Sequence, residues 1–134
     1  MPSRDDLVRD LVGKWVEKAD ADLKAAETLA EHEGELWAIV AFHCQQSAEK
    51  YIKAVLTSLQ IEFGKTHDIS VLLDSLGSGK SDLETVLRPA EGLTVYGVQA
   101  RYPGDGPDVD DEEAARAVEL AQMVARLIKE KLSG

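Results

Sequence analysis

The chain has 134 residues, a formal net charge of −10 and a single cysteine. This length suffices for one domain with its own hydrophobic core, and one cysteine excludes an internal disulfide. The excess of acids disfavours non-specific binding to nucleic acid, because that affinity comes mainly from neutralising phosphates, but it leaves room for a basic protein partner.

The chain opens with the charged segment MPSRDDLVRD, which lacks the apolar core of a signal peptide. No apolar run approaches the roughly 20 residues that a membrane-spanning helix needs. We therefore expect a cytoplasmic protein, a single domain over residues 1–134, and a buried, unreactive thiol at Cys44.

The first quarter of the chain predicts a long amphipathic helix. Apolar residues recur every three or four positions from Leu7 to Ala30. Ser3 and Asp6 have the spacing of a capping box at its start, and Gly34 suits its end. Because a second helical pattern follows at once, the two helices should pack as antiparallel neighbours.

The second helix, predicted from about residue 35 or 36 to residue 59, contains the stretch FHCQQSAEKYIKAVL. One broad side is apolar and includes Cys44 and Tyr51. The other side carries large and polar groups, which predicts a central helix with partners on both sides: Phe42, His43, Gln46, Glu49, Lys50 and Lys53.

The rest of the chain is also helical by pattern. Thr66 or Asp68 can cap a short helix. Ser81 with Glu84 predicts a capping box for the next helix, and Pro89 predicts a kink or break two turns later. An acidic first turn marks the last helix. The sum is an all-α fold, an up-and-down bundle of four long helices plus a short helix.

Three segments in order carry a resemblance to a known family. CQQSAEKYIKAVL is followed by THDI, then YGVQARYP, then an Ala-rich C-terminal helix. Over about residues 5–131 this arrangement resembles the HEPN domain family. The resemblance implies a helical bundle that commonly forms a two-fold homodimer, often encoded beside a minimal nucleotidyltransferase in pairs that look like toxin–antitoxin modules.

Many HEPN proteins are metal-independent ribonucleases with an Arg, four to six residues, and then a His. Arg101 occupies a comparable place, but Gly106, Pro107 and Asp108 stand where the His would fall. The missing imidazole favours a protein that is not an enzyme, with no catalytic residue assigned. The sequence also lacks the cysteines of a zinc site and the Glu-x-x-His spacing of a di-iron bundle, so no metal or cofactor is predicted.

Polar residues of the matching segments are candidates for binding a nucleotide: Gln46, Lys50, Thr66, His67, Arg101 and Tyr102. Each has a plainer alternative. The helix-two residues can form a solvated face, Thr66 can serve as a helix cap, and Arg101 can bond helix-end carbonyls. Tyr102 is also a conceivable target for modification by a nucleotidyltransferase.

The sequence thus predicts the dimeric partner of a minimal nucleotidyltransferase, with a nucleotide site. Two alternatives stay open. One is an RNA-cleaving toxin that uses Arg101 with an unconventional partner such as His67 from across the dimer. The other is a helical scaffold without a ligand.

Overall fold

The computed structural model describes residues 1–32, 36–97 and 108–134, and the fold of these residues is all-α, without a strand. Their elements are α1 (Arg4–Ala30), α2 (Trp37–Ser58), α3 (Ile69–Gly77), α4 (Ser81–Leu87), a 3₁₀ helix (Arg88–Gly97) and α5 (Asp111–Ser133). Among the helices of these three ranges, none combines the length and the apolar character needed to cross a membrane.

Helix α1 begins with the predicted capping box. The Ser3 hydroxyl accepts a hydrogen bond from the Asp6 amide, and the Asp6 carboxylate accepts one from the Ser3 amide. The helix ends at Ala30, and the predicted stop at Gly34 lies outside the described residues. Its buried positions, Ala19 and Ala26, fall in the middle and near the end, and of the predicted apolar stripe Leu7 and Leu11 are exposed.

Helix α2 is the centre of the bundle, as predicted, and lies within two residues of its expected bounds. It packs on α1, α5, α3 and the 3₁₀ helix. Its apolar side buries Cys44 and Tyr51 completely. Its other side buries Glu49 and Lys53 as well, so the alternative of a solvated face is wrong for these two residues.

The predicted break near Pro89 is confirmed. Helix α4 ends at Leu87, and the chain continues as a 3₁₀ helix from Arg88, because Pro89 has no amide hydrogen to extend the α-helical ladder. Arg88 stabilises the junction between α4 and the 3₁₀ helix through ion pairs with Glu84, Glu91 and Asp74, the last of which lies on α3. The fourth long segment of the bundle is therefore split in two.

The predicted capping box at Ser81 is wrong. Ser81 is the first residue of α4, and the residue at the cap position is Lys80, which makes no side-chain capping bond. The Glu84 carboxylate instead accepts a hydrogen bond from Arg88. The side chain of Glu84 thus pairs with Arg88, four residues further on, instead of capping α4.

Candidate functional site

A row of buried polar side chains runs along α2, one helical turn apart. Gln45, Glu49 and Lys53 lie at successive four-residue intervals, so they share one face of the helix. The Gln45 Nε2 donates to Glu49 Oε1 over 3.0 Å, and the Lys53 Nζ donates to Glu49 Oε2 over 2.9 Å. Glu49 is therefore a buried carboxylate held by a cation and an amide.

His67 lies against this row from the loop before α3. Its Nδ1 is 3.1 Å from Glu49 Oε1, while its side chain is 75% exposed. Its backbone carbonyl accepts a hydrogen bond of 3.0 Å from Gln45 Nε2. Both the ring and the backbone of His67 are thus fixed by side chains of α2, although most of the ring faces solvent.

The bonding pattern of Glu49 determines which ring nitrogen of His67 carries a hydrogen. An ionised carboxylate only accepts, and Glu49 already receives donors from Gln45 and Lys53, so the His67 Nδ1–H donates to it. In the neutral ring, Nε2 is then an acceptor. Within the described residues Nε2 has no hydrogen-bond partner.

Lys53 is buried under two aromatic rings. Its Nζ lies 5.4 Å from the centre of the Trp15 ring of α1 and 5.8 Å from that of Phe63. The negative faces of aromatic rings attract a cation, and the attraction grows where water is excluded. These contacts, with the Glu49 pair, offset the cost of removing the ammonium group from water.

The loop before α3 is shaped by the two residues that flank His67. The Thr66 hydroxyl accepts from the Asp68 amide, and the Asp68 carboxylate accepts from the Ser70 amide at the start of α3. The helix-cap alternative is confirmed for Asp68, which is the N-cap residue of α3, whereas Thr66 stabilises the turn before the helix. These two hydrogen bonds fix the backbone on both sides of His67 and leave its ring to Glu49.

Lys50, another candidate, belongs to a separate cluster. Its Nζ is paired with Asp22 Oδ2 of α1, and Asp22 Oδ1 lies 3.0 Å from Nδ1 of His43. The contacts of Lys50 therefore run to α1, whereas those of His67 run to Glu49. Gln46 does join the His67 group, because its Nε2 donates to Gln45 Oε1 over 2.7 Å.

The structure thus brings together Gln46, Thr66 and His67, and sets Lys50 apart on Asp22. Arg101 and Tyr102 lie outside the described residues. Just before them, the 3₁₀ helix reaches the site at Gly97. A Cβ placed on Gly97 would lie 3.0 Å from the amide carbon of Gln45, so only the smallest residue fits there without displacing Gln45.

The sequence placed Gln45, Glu49 and Lys53 beside Gln46 and Lys50 as a possible lining of a nucleotide-binding groove or a solvated face, but only Gln46 and Lys50 were predicted as site residues. Their four-residue spacing was available as a signal, since such residues share a helix face. Their burial could not be predicted from this spacing, because Lys53 is covered by Trp15 and Phe63, which are distant in sequence.

The fold and the site define a class: a helical bundle whose central helix holds an exposed imidazole through a buried carboxylate. A sequence model of the HEPN domain matches residues 12–132, nearly the whole chain, and the chain therefore belongs to the HEPN domain family. No curated protein and no solved structure was found to match it.

Proposed function

We propose that this HEPN protein binds a nucleotide at the corner formed by Glu49 and His67. The observation that carries the proposal is the exposed His67 ring, which the buried Glu49 holds by Nδ1. A protonated ring would donate from Nε2 to a phosphate oxygen, and the neighbouring Gln46 amide suits the edge of a base. Arg101 is the candidate for a second phosphate contact.

Thermal unfolding with ATP or AMP tests this site. A nucleotide that binds the folded state should raise the melting temperature by about 3 °C or more at a concentration several times its dissociation constant. His67→Ala should abolish the shift. His32→Ala is the matched control, because His32 is an exposed histidine whose ring forms a hydrogen bond with the Thr28 carbonyl.

An absence of any shift at millimolar nucleotide would favour the helical scaffold without a ligand. An equal shift in the wild type and in His67→Ala would place the ligand elsewhere. Arg101→Ala extends the test to the second phosphate contact.

We further propose that the protein is the dimeric partner of a minimal nucleotidyltransferase in a toxin–antitoxin-like module. Membership of the HEPN family supports this, since small prokaryotic members are often encoded in such pairs. Co-expression with the product of the adjacent reading frame, followed by size-exclusion chromatography, checks it. Separate elution of the two proteins, or a neighbour without nucleotidyltransferase motifs, would contradict the proposal.

A second candidate function, metal-independent RNA cleavage, is favoured by one observation. A carboxylate that fixes the tautomer of an exposed imidazole also orients a general base, and Glu49 does so for His67. Against it stand the net charge of −10 and the absence of a histidine after Arg101 at the family spacing.

We expect the purified protein to cleave tRNA or single-stranded RNA no faster than its Arg101→Ala variant. A well-placed acid or base supplies about 10²- to 10⁴-fold in rate, so genuine catalysis would be easily distinguished. Wild-type cleavage that disappears in both Arg101→Ala and His67→Ala, but persists in His32→Ala, would make the RNA-cleaving toxin the better interpretation.

A further inference from the structure

The first half of α1 presents a row of cationic and apolar side chains that the bundle does not cover. We define the α1 strip as Arg4, Leu7, Leu11, Lys14 and Lys18, which are exposed and recur at intervals of three, four, three and four residues. Leu7 is 56% exposed and Leu11 is 47% exposed. Large apolar groups with such exposure, in a regular row, indicate a surface that another molecule covers.

A groove lies beside the strip. It has a volume of about 450 Å³, and its apolar lining includes Leu11 and Trp15 of α1 together with Ile61 and Phe63. Ile61 and Phe63 reach the groove because Gln60, just after the end of α2, has a φ of 55°. This left-handed conformation ends the helix and turns the chain away from the helix axis. The groove can receive an apolar side chain from a molecule that lies along the strip.

The charges of the α1 strip are not neutralised from within. Arg4 donates through Nε to the neutral amide of Gln60 over 2.7 Å. Lys14 and Lys18 form no ion pair with any of the described residues. Asp10 lies four residues before Lys14 and Glu17 three residues after it, and Glu62 lines the groove, but none of these acids forms an ion pair with the strip among the described residues. The strip is therefore a cationic row on a protein of net charge −10.

We propose that the α1 strip and its groove dock an amphipathic helix of a partner protein whose contacting face carries acidic and apolar residues. The alternation of three and four residues is the spacing at which two helices pack along a shared seam. The groove suits the apolar anchor of a helix bound along a surface. The unpaired cations suit carboxylates on that helix.

Other occupants fit less well. Two copies of this chain, placed strip to strip, would set lysines and arginines against one another. An anionic membrane would attract the strip but repel the rest of an acidic protein, and a flat lipid surface would leave the groove unfilled. Nucleic acid would not use the exposed leucines. This inference is independent of the nucleotide site.

A synthetic peptide provides the probe: a fluorescein-labelled helix of about five turns, made of Leu, Glu and Ala, with Leu at alternating three- and four-residue intervals. We expect fluorescence anisotropy to show binding that weakens with salt. Lys14→Glu combined with Lys18→Glu should weaken it at least about tenfold. Leu11→Ser should weaken it too, because it removes the wall of the groove.

Lys24→Glu combined with Lys80→Glu is the matched control, because it changes the net charge equally at two exposed lysines outside the strip. This control should bind the peptide like the wild type. Circular dichroism and thermal melting verify that every variant is folded.

Equal affinity of the Lys14/Lys18 variant and the wild type for the peptide would overturn the proposal. So would equal binding of a matched peptide with Lys in place of Glu. Absence of peptide binding, together with sedimentation on vesicles of phosphatidylcholine and phosphatidylserine, would assign the strip to a membrane instead. A loss of dimer mass in the Lys14/Lys18 variant would assign it to a second copy.

Discussion

Glu49 and Lys53 form an ion pair whose side chains are only 3% and 7% exposed. A pair of this kind is asymmetric in its effects. Removing one partner leaves an uncompensated charge in the interior, whereas removing both leaves none. In this protein, Lys53 therefore stabilises the fold chiefly by compensating the buried negative charge of Glu49. Glu49 in turn holds His67.

We expect Lys53→Met to lower the free energy of unfolding by about 3 kcal/mol, because Glu49 stays buried without its cation. Combining it with Glu49→Gln should recover most of that loss. Urea denaturation measures both. Arg116→Met is the control: its pair with Glu119 is exposed, and removing it should change stability by no more than about 0.5 kcal/mol. A double variant no more stable than Lys53→Met would contradict this account.

Cys44 is a residue whose chemistry is suppressed by its position. Burial, with a smaller contribution from the charge of Glu27, raises the pKa of its thiol to about 12. The thiolate is the reactive form, so at neutral pH a thiol reagent should modify Cys44 only when the protein opens. Labelling should be slow in buffer and fast in denaturant. Rapid labelling of the native protein would show that the apolar face of α2 is wrongly assigned.

At the scale of elements, the 3₁₀ helix is positioned by its last residue. Gly97 touches the amide of Gln45, which is itself held by Glu49, Gln46 and the His67 carbonyl. A side chain so bonded cannot move aside at little cost. The same helix contains Gly92, where an added Cβ would meet nothing within 4 Å.

Two glycine substitutions in one helix therefore form a matched pair. Gly97→Ala should lower the free energy of unfolding by about 1 to 3 kcal/mol, the usual cost of overpacking. Gly92→Ala should leave it unchanged or raise it by about 0.5 kcal/mol, because alanine restricts the unfolded chain. Thermal denaturation of both variants checks the prediction. Equal effects at the two positions would mean that Gln45 is free to rearrange.

The elements whose patterns are local and strong could be predicted from the sequence. The capping box at Ser3, the central role of α2 and the break at Pro89 all depend on periodicity or on single residues with fixed backbone preferences. The capping box at Ser81 failed because Glu84 is recruited by Arg88. A pattern over four residues cannot register an interaction that also involves another helix.

The candidate site was less predictable for the same reason. A short motif predicts His67 as a site residue, whereas the sequence assigns its partner Glu49 to the polar side of α2 and does not show that this carboxylate is buried. Lys50 and Lys53 are three residues apart and look alike in sequence. One pairs with Asp22 of α1 and the other with Glu49 beneath Trp15, a difference that only the packing of α1 on α2 determines.

At the scale of the whole molecule, the homodimer that the family resemblance implies needs an exposed surface outside α2. Helices α1, α3 and α5 and the 3₁₀ helix pack around α2. Exposed valines do remain on three elements in mutual contact: Val71 on α3, Val86 on α4 and Val95 on the 3₁₀ helix.

We expect light scattering at micromolar concentration to give twice the monomer mass of 14.6 kDa. Burial of apolar surface drives such association, so Val86→Ser combined with Val95→Ser should shift the protein toward monomer. Leu7→Ser, which alters an equally exposed residue on the α1 strip, should not. A clean monomer for the wild type would count against the dimer.

Trp15 stands between the groove and the buried ammonium group of Lys53, and it is one of two tryptophans in the chain. Replacing the other, Trp37, with Phe would leave Trp15 as an intrinsic fluorophore. Indole emission moves to shorter wavelength as water is excluded. Binding of a helix in the groove should therefore shift the emission of Trp15 to shorter wavelength, without any attached dye. Loss of Lys53 would alter the same emission from inside the bundle, so one spectrum reports on both sides of the ring.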